Sequence, residues 1–389
     1  MDITIHPQKL KGGVTAIPSK SQAHRLLICS AFADAPTTLI CPETNQDIEA
    51  TAGCLRALGA GVEHTAQGYV VTPSRQIPNP AELYCNESGS TLRFLLPIVG
   101  ALGVDTTFHM SGRLPQRPLS PLWELMESMG CQLSRPTANT LRCQGTLRVG
   151  HYRIDGGVSS QFITGLLFAI SLMDGISDLE ITGKVESKPY ITMSENALAL
   201  FGAPKYHSPG NITVEGDWSN GAFWLSAKAL GNDITIENLS ENSVQGDRAI
   251  VELLPLLEKT NATICVADIP DLVPILAVVA AAKHGAIFTS IGRLRLKESD
   301  RVATTVAMID SLGGKAEAYG DTLIVHPSNL TGGMVDSYND HRIAMAAAIA
   351  STVCTQEVTI LDAHCVQKSY PRFWEEFNRL GGNYEQYLR

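Results

Sequence analysis

The sequence predicts an α/β fold built from six copies of one unit, and the recurrence of similar helix ends is the main observation behind this prediction. Five apolar helical patterns close on glycine and are followed within a few residues by a strand-like stretch, at residues 57–61, 128–131, 200–203, 311–314 and 379–382. Residues 257–262 form a sixth closure without the glycine. Spacings of about 50 to 70 residues are typical of internal repeats and leave room for two helices and about four strands per unit.

Two further observations support the repeat and divide it. The strand-like stretches 69–74 and 323–328 share one pattern, each with three apolar or aromatic residues, one polar residue and a closing Pro-Ser. A length of 389 residues suggests two or three domains. We therefore expect three units per domain, with residues 1–18 and 217–389 forming one discontinuous domain and residues 19–216 the other. Chance recurrence of such helix ends is the alternative.

Composition excludes several classes of function. A net charge of −9 is unlike that of a general nucleic-acid binder. The longest apolar runs, 162–173 and 272–282, are too short to span a bilayer, so we expect no membrane association. The first seven residues alternate like a strand and lack the pattern of a signal peptide.

Cysteines and glycines narrow the choice of cofactor. The nine cysteines are scattered without a Cys-x-x-Cys pair, which favours reduced thiols in a cytoplasmic protein over disulfides or a zinc site. Neither Gly-x-Gly-x-x-Gly nor the phosphate-loop pattern occurs, which disfavours a dinucleotide or ATP site. We therefore expect no cofactor and no metal.

Cations at predicted helix starts are the strongest signal for a ligand. Residues 296–311 read as a helix with Ser299 as N-cap, and Lys297 and Arg301 are four residues apart at its positive pole, with Glu298 between them. Cations there are unfavourable by roughly 0.3–1 kcal/mol each, and helix N-termini bind phosphate and carboxylate groups. The alternative is a solvated helix start with ordinary ion pairs.

The same feature recurs in three other stretches. Lys20 and Arg25 fall in the first turns of a helix predicted after Pro18-Ser19, and His341 and Arg342 open an Ala-rich helix. Lys368 precedes a predicted helix whose first turn would include a proline. Four such helices suggest N-termini converging on a ligand with several negative charges.

Further polar stretches lie at other helix starts and loops. Residues 87–93 form a small-residue turn, ending in Arg93, that could cradle an oxyanion, and 159–161 open an apolar helix. In both, the hydroxyls could instead be caps only. Arg117 and residues 187–190 are expected in loops that reach a cleft. Asp271, between two prolines, is either an N-cap or a positioned base.

Taken together and in this order along the whole chain, these motifs resemble the 5-enolpyruvylshikimate-3-phosphate synthase family of enolpyruvyl transferases. The resemblance implies a two-domain inside-out α/β barrel of six βαβαββ units, three per domain, with the active site in an interdomain cleft that closes on substrate. It also implies transfer of the enolpyruvyl group of phosphoenolpyruvate to the 5-hydroxyl of shikimate 3-phosphate, with release of phosphate through a tetrahedral intermediate.

The resemblance assigns roles residue by residue. Asp271 would take the hydroxyl proton, Glu298 would exchange a proton with the methylene carbon, and Lys20 would bridge both substrates. His341 would either assist proton transfer or orient Asp340 or Arg342. The residues implied for phosphoenolpyruvate are Lys20, Gly89, Arg117, Gln161, Arg301, Arg342 and Lys368. Those implied for shikimate 3-phosphate are Lys20, Ser21, Arg25, Ser159, Ser160, Gln161, Ser187, Asp271 and Lys297, with Tyr190 nearby.

Some positions depart from the family pattern. Many members have Asn-Ala-Gly-Thr where this chain has residues 87–90, and a proline where Phe94 follows Arg93. The nearest rival is the sibling transferase that acts on UDP-N-acetylglucosamine, but its reactive cysteine or aspartate is missing from residues 111–117. A binding-only relative would lack Glu298 or Asp271. We expect a monomer with small-molecule substrates as its partners.

Overall fold

The computed structural model describes residues 1–387, and the chain divides into two compact units. The discontinuous unit contains Met1–Ile17 and the chain from Gly216 onward, and the continuous unit contains Pro18–Glu215. The boundaries expected from the sequence, after residues 18 and 216, each lie one residue later than those of the structure, after Ile17 and Glu215.

Twelve α-helices occur within residues 1–387. They are α1 (Lys20–Ala31), α2 (Gln46–Ala57), α3 (Gly89–Leu102), α4 (Leu122–Ser128), α5 (Ser160–Ser171), α6 (Lys188–Leu200), α7 (Trp218–Ala229), α8 (Ile250–Leu257), α9 (Val273–Ala282), α10 (Arg301–Ser311), α11 (His341–Ala350) and α12 (Phe373–Arg379). Four 3₁₀-helices accompany them, at Leu114–Gln116, Gly246–Ala249, Gly292–Leu296 and Ala363–Lys368.

Twenty strands occur in the same part of the chain. They are β1 (Asp2–Ile5), β2 (Lys11–Thr15), β3 (Thr37–Ile40), β4 (Gly61–Thr65), β5 (Gly68–Thr72), β6 (Ala81–Asn86), β7 (Thr106–Met110), β8 (Cys131–Ser134), β9 (Thr140–Gly145), β10 (His151–Asp155), β11 (Asp178–Thr182), β12 (Asn211–Thr213), β13 (Asp233–Glu237), β14 (Ala262–Cys265), β15 (Ala286–Thr289), β16 (Lys315–Tyr319), β17 (Thr322–His326), β18 (Gly333–Asp336), β19 (Val358–Leu361) and β20 (Tyr384–Tyr387).

The strands of residues 1–387 form six sheets, three in each unit. Four sheets have four strands and one common pattern, in which one parallel pair is followed by two antiparallel pairs. Their strand orders are β12-β3-β5-β4, β6-β7-β9-β8, β14-β15-β17-β16 and β18-β19-β1-β20. The other two are the parallel pairs β10-β11 and β13-β2. The α/β class is confirmed, and six sheets agree with the six predicted units.

The first two strands belong to the discontinuous unit. Strand β1 lies between β19 and β20, with Ile3 opposite Ile360, and β2 pairs in parallel with β13. The chain then enters the continuous unit after Ile17 and returns at Gly216. Pairing of the first two strands with strands that follow Gly216 therefore completes two of the three sheets of the discontinuous unit.

Each unit has its own apolar core around central helices. In the discontinuous unit, α9 and α11 are buried along almost their whole length, as expected for helices that are apolar on all sides. In the continuous unit, α3 and α5 pack against each other in the same manner. The polar starts of these four helices thus stand on rigid central elements, which suits side chains that must be held precisely.

The cysteines behave as expected for core residues. All nine are free thiols, and only Cys265 is exposed. Within residues 1–387, no helix combines the length and apolar character needed to cross a membrane.

Three expectations about local structure are wrong. Residues 188–190 begin helix α6 instead of lying in a loop, because Ser187 adopts a left-handed conformation (φ 56°) that turns the chain into the helix. The helix after Lys368 begins only at Phe373, so Pro371 precedes it and Lys368 instead ends a 3₁₀-helix. The third concerns the start of α10 and is described with the site.

Close packing between α3 and α5 depends on Gly165. A Cβ atom at this position would overlap the carbonyl oxygen of Arg93 and would lie 3.0 Å from Cγ of Pro97. Both contacts are on α3, and the first is with backbone that cannot rotate away. Gly165 therefore sets the distance between the two helices that carry Arg93 and Gln161.

We predict that Gly165→Ala destabilises the protein by about 1–3 kcal/mol, the usual penalty for overpacking a core. Gly53→Ala is the matched control, because it is also a helical glycine and its added Cβ would meet nothing within 4 Å. This control should be neutral or stabilising by up to about 1 kcal/mol, since alanine is the better helix former. Urea unfolding of both variants measures the difference, and equal stabilities would contradict the packing argument.

Candidate active site

In the discontinuous unit, the predicted acids and cations lie at the starts of its helices. Asp271 precedes α9, Lys297 and Glu298 lie between a 3₁₀-helix and α10, and Arg301 is the first residue of α10. Arg342 is the second residue of α11. The site is therefore built on the rigid core helices of this unit.

The start of α10 differs from the predicted one. Its N-cap is Asp300, whose carboxylate accepts a hydrogen bond from the backbone N–H of Ala303, 3.2 Å away. The hydroxyl of Ser299, the predicted cap, instead donates to Asp340 over 2.9 Å. Lys297 precedes the helix in extended backbone, so it does not share a helical face with Arg301 as predicted. A buried carboxylate competes successfully for the serine hydroxyl, and the next acidic residue takes over the cap.

Arg301 is the centre of this site. Its side chain is only 1% exposed and donates to three carboxylates. Nη1 lies 2.7 Å from Asp271, Nη2 lies 2.6 Å from Glu298, and Nε lies 3.0 Å from Asp340. Because the guanidinium group is planar, it fixes all three acids in one arrangement.

Asp271 is not an N-cap but an acceptor for three cations. Besides Arg301, its carboxylate lies 3.4 Å from Nζ of Lys297 and 3.1 Å from Nη2 of Arg342. Its side chain keeps 18% of its exposure. Of the two alternatives left open by the sequence, the N-cap is wrong, and the positioned base stays a prediction.

Burial and charge act on the two central cations in different ways. Burial lowers the pKa of Arg301, but the carboxylates of Asp340, Glu298 and Asp271 outweigh it and raise the pKa above the ordinary value. Burial also lowers the pKa of Lys297, where the attraction of Asp271 is opposed by repulsion from Arg301. Arg301 thus stays charged, while Lys297 is a cation under electrostatic strain that an anionic ligand would relieve.

Two further predicted residues lie at the start of α11. Lys368 is 6% exposed, and its Nζ donates to the backbone oxygen of Asn339 over 2.8 Å. His341 is 2% exposed at the first position of the helix. Asp340 caps the helix by accepting from the backbone N–H of Arg342. Asp340 thus links Arg301 to Arg342, and its neighbour Asn339 binds Lys368.

In the continuous unit, Arg25 is buried among polar groups and has no carboxylate partner within residues 1–387. It is 2% exposed, and its guanidinium donates to the hydroxyl of Ser194 over 2.8 Å, to Thr164 over 3.3 Å and to the backbone oxygen of Tyr190 over 2.9 Å. The ring of Phe94 lies 5.0 Å below it. Burial lowers its pKa to about 10, so it remains charged at neutral pH. A buried cation held only by neutral groups is prepared for an anion.

Lys20, the first residue of α1, is balanced by an acid on α2. Its Nζ lies 2.8 Å from Asp47, and both side chains are more than four-fifths buried. The sequence analysis did not single out Asp47, which looks there like an ordinary acidic residue in the first turn of a helix. On the same helix, Lys20 is therefore paired with a carboxylate, whereas Arg25 is held by neutral groups.

A third cluster joins α3 to α5. Nη1 of Arg93 donates to the amide oxygen of Gln161 over 2.7 Å, and the amide nitrogen of Gln161 donates to Ser90 over 2.9 Å. A Cβ at Gly89 would lie 2.7 Å from Nη1 of Arg117. The predicted residues Gly89, Gln161 and Arg117 are thus brought together, with Arg93 as the residue that orients Gln161.

The remaining predicted residues of this unit are serines. Ser159 is the N-cap of α5, and Ser160 begins that helix. Ser187 is 2% exposed before α6, and the backbone oxygen of Ser21 accepts from Nη1 of Arg25 over 2.6 Å. Each lies at a helix start beside one of the clusters described above.

Comparison with known proteins decides the family. The family model for EPSP synthase (3-phosphoshikimate 1-carboxyvinyltransferase) matches residues 5–264 and 254–377. The 3-phosphoshikimate 1-carboxyvinyltransferase of Clostridium kluyveri is 38% identical over 99% of this chain and 98% of its own length. The chain belongs to the EPSP synthase family. A Clostridium perfringens relative of the same name is 36% identical over 98% of both chains.

Solved structures of EPSP synthase share this fold. Two structures of the enzyme from Acinetobacter baumannii match with TM-scores of 0.78 and 0.79 at 23% and 22% identity. They cover 99% and 100% of this chain, and the same shares of their own lengths. The likeness therefore extends over both units, and the predicted family and fold are confirmed.

The carboxylates of this EPSP synthase family member are grouped with cationic side chains. Within residues 1–387, no group of three or more His, Cys, Asp or Glu side chains is arranged to hold a metal ion. The carboxylates of the site instead face arginine and lysine, which occupy the positions that a cation would take.

Asp247 is a buried acid that interacts electrostatically with Asp271 and Arg342 and that no sequence pattern indicated. It lies in the 3₁₀-helix Gly246–Ala249 and is 1% exposed. Its Oδ2 accepts a short hydrogen bond from Ser219, and Oδ1 has no partner among the described residues. Burial raises its pKa to about 7, repulsion from Asp271 adds to this, and attraction to Arg342 opposes it. In the sequence, it resembles any aspartate in the first turn of a helix.

We predict that Asp247 makes the stability of the protein pH-dependent. An unfolded aspartate has a pKa of about 3.9, so the folded protein binds this proton more tightly. The resulting stabilisation is complete below about pH 4 and is lost as the pH rises to about 7. Asp247→Asn removes the titrating group. The free energy of unfolding of this variant relative to the wild type should therefore rise across this window, by about 1.4 kcal/mol for each unit by which the folded pKa exceeds the unfolded one.

Urea unfolding at a series of pH values measures the effect. Ser219→Ala is the companion variant, because it removes a hydrogen bond that lowers the pKa of Asp247. In that variant the loss of stability should extend to higher pH. A difference between Asp247→Asn and the wild type that does not change with pH would contradict the prediction.

Proposed function

We propose that this protein transfers the enolpyruvyl group of phosphoenolpyruvate to the 5-hydroxyl of shikimate 3-phosphate and releases phosphate. Membership of the EPSP synthase family supports the reaction, and the clusters of buried cations support two phosphorylated, carboxylate-bearing substrates. In the cell, the product would serve chorismate and aromatic amino-acid biosynthesis.

The addition step and the elimination step both require proton transfer. The 5-hydroxyl loses its proton as its oxygen bonds to the central carbon of phosphoenolpyruvate, whose methylene carbon gains a proton to become a methyl group. The tetrahedral intermediate then loses a methyl proton and expels phosphate, which restores the double bond, and the expelled phosphate takes up the proton that the hydroxyl lost. We assign the hydroxyl proton to Asp271 and the carbon-bound proton to Glu298.

One observation carries this assignment. Asp271 and Glu298 accept hydrogen bonds from Nη1 and Nη2 of the same guanidinium group, that of Arg301, over 2.7 Å and 2.6 Å. A single planar, buried cation therefore fixes the spacing of the two acids. Their side chains remain 18% and 26% exposed, so substrate can reach both.

Glu298 is suited to remove a proton in the elimination step. Its carboxylate is held in place by the 2.6 Å hydrogen bond from Nη2 of Arg301. A carboxyl group so placed can donate a proton in the addition step and accept one in the elimination step. One residue can therefore serve both half-reactions by exchanging a single proton.

The remaining residues are assigned to substrate binding. We propose that the discontinuous unit supplies the catalytic acids and three of the seven phosphoenolpyruvate contacts, and that the continuous unit supplies most shikimate 3-phosphate contacts. For phosphoenolpyruvate, these are Lys20, Gly89, Arg117, Gln161, Arg301, Arg342 and Lys368. For shikimate 3-phosphate, they are Lys20, Ser21, Arg25, Ser159, Ser160, Gln161, Ser187, Asp271 and Lys297.

Arg25 gives the strongest support for the shikimate 3-phosphate assignment. It is buried and charged, and it has no carboxylate partner among the described residues. Its neutral partners Ser194 and Thr164 direct the guanidinium without neutralising it. A phosphate group would supply the missing negative charge.

We further propose a monomer in the cytoplasm, where nine free thiols remain reduced.

The experiment that tests the function measures phosphate release from phosphoenolpyruvate with two rival acceptors. We expect release with shikimate 3-phosphate and none with UDP-N-acetylglucosamine. Release with the nucleotide sugar alone would assign the protein to the sibling activity. Silence with both acceptors would show a protein that binds without turnover.

A variant tests the role of Glu298 in the same assay. Glu298→Gln should lower kcat by about 10²–10⁴-fold, because the amide cannot exchange a proton with carbon. Asp300→Asn is the matched control: it lies two residues away, is more exposed, and keeps an oxygen that can cap α10. This control should retain wild-type turnover, and unchanged turnover in Glu298→Gln would overturn its assigned role.

A further inference from the structure

A continuous line of buried hydrogen bonds joins three helices of the continuous unit. Nδ1 of His24 on α1 lies 2.7 Å from the hydroxyl of Thr51 on α2, which lies 2.7 Å from the hydroxyl of Thr91 on α3. The Thr91 hydroxyl donates to Ser88 over 2.7 Å. All four side chains are at most 1% exposed. We call this line the His24 relay.

Counting protons along the relay fixes the tautomer of His24. A hydroxyl group has one proton to donate. Thr91 gives its proton to Ser88, so the contact between the two threonines uses the proton of Thr51. Thr51 then has no proton left for His24, and the proton in that contact must belong to Nδ1 of the imidazole.

The surroundings keep His24 neutral. Its Nε2 has no hydrogen-bond partner among the described residues, so a proton there would be a buried donor without an acceptor. Burial lowers the pKa of His24 far below its ordinary value, and the charges of Lys20 and Arg25 lower it further. The imidazole is therefore a fixed donor at Nδ1 and does not titrate near neutral pH.

The relay ends at the turn that precedes Gly89. Ser88 is the N-cap of α3 and accepts from the backbone N–H of Thr91 over 3.2 Å, in addition to its bond with the Thr91 hydroxyl. The next residue, Gly89, is the one beside Arg117. The relay thus connects the helix of Lys20 and Arg25 to the start of the helix of Gly89 and Arg93.

We propose that His24 is a positioning residue that acts through Thr51, Thr91 and Ser88 to hold the turn at Gly89 in place for phosphoenolpyruvate. This inference rests on the proposed function, since it assigns Gly89 to that substrate. The hydrogen-bond partners of Arg25 outside its own helix, Ser194, Thr164 and Tyr190, do not belong to the relay. Loss of the relay should therefore affect phosphoenolpyruvate and spare shikimate 3-phosphate.

Two substitutions of His24 separate hydrogen bonding from volume. Asparagine keeps an N–H donor close to the position of Nδ1, whereas leucine fills similar space without a donor. His24→Leu should raise KM for phosphoenolpyruvate by about 5–10-fold, the factor expected for one buried hydrogen bond, with KM for shikimate 3-phosphate within about twofold. His24→Asn should restore most of the loss. Equal rises for both substrates, or no rescue by asparagine, would overturn the positioning role.

A second pair of variants tests the relay without changing His24. Thr51→Val removes the central hydroxyl, and Thr106→Val is the matched control. Thr106 is also fully buried in this unit, and its hydroxyl donates only to the backbone oxygen of Val104. Thr51→Val should repeat the selective rise in KM, and Thr106→Val should not. The same kinetic constants for both variants would contradict the relay.

Nitrogen NMR of histidine-labelled protein reads the tautomer directly, without turnover. The His24 signals, identified by their loss in His24→Asn, should show a protonated Nδ1 and an unprotonated Nε2 with no titration between about pH 5.5 and 8.5. A protonated Nε2, or a titration near pH 6.5, would overturn the assignment. A wild-type protein without turnover but with this tautomer would contradict only the proposed function.

Discussion

The arrangement of the discontinuous unit depends on one buried cation. Arg301 is almost inaccessible to solvent, and it is stable there because Asp340, Asp271 and Glu298 accept its hydrogen bonds. Removing one partner from such a buried group typically lowers the stability by about 3–5 kcal/mol, so the loss of any one of the four side chains would destabilise the whole cluster. Two of the three acids stay partly exposed, and these are the two to which the reaction assigns protons. The interaction that stabilises the start of α10 therefore also fixes the positions of the two acids proposed as catalytic.

In the continuous unit, the buried cation Arg25 is held by neutral groups instead of carboxylates. Arg25 is held by hydroxyl and backbone oxygens, 169 residues away in the case of Ser194, and by the face of Phe94. Neutral partners orient it but leave its charge uncompensated, which burial makes unfavourable. One unit thus presents acids held by cations, and the other presents a cation awaiting an anion. This division matches a reaction in which proton transfer and phosphate recognition require different surroundings.

Sequence patterns predicted the repeated fold and most cationic positions, because both leave local signals. Helix ends recur at a regular spacing, and cations such as Lys20 and Arg342 stand out at helix starts, where dipoles disfavour them. The partners of these cations could not be predicted, because Asp47, Ser194 and Asp340 look like ordinary helix residues until the fold brings them near. The prediction that Ser299 caps α10 was wrong for the same reason, since only the folded chain shows that Asp340 competes for the Ser299 hydroxyl.

Exchange of the methylene protons of phosphoenolpyruvate tests the central role of Arg301 most directly. Arg301→Lys keeps the charge but loses the planar fork that joins Asp271 and Glu298. In D₂O with shikimate 3-phosphate present, we predict that deuterium incorporation falls by about 10²-fold or more, while calorimetric binding of shikimate 3-phosphate changes by less than about threefold. Exchange at the wild-type rate in this variant would show that the acids keep their positions without the guanidinium group, and would contradict the account.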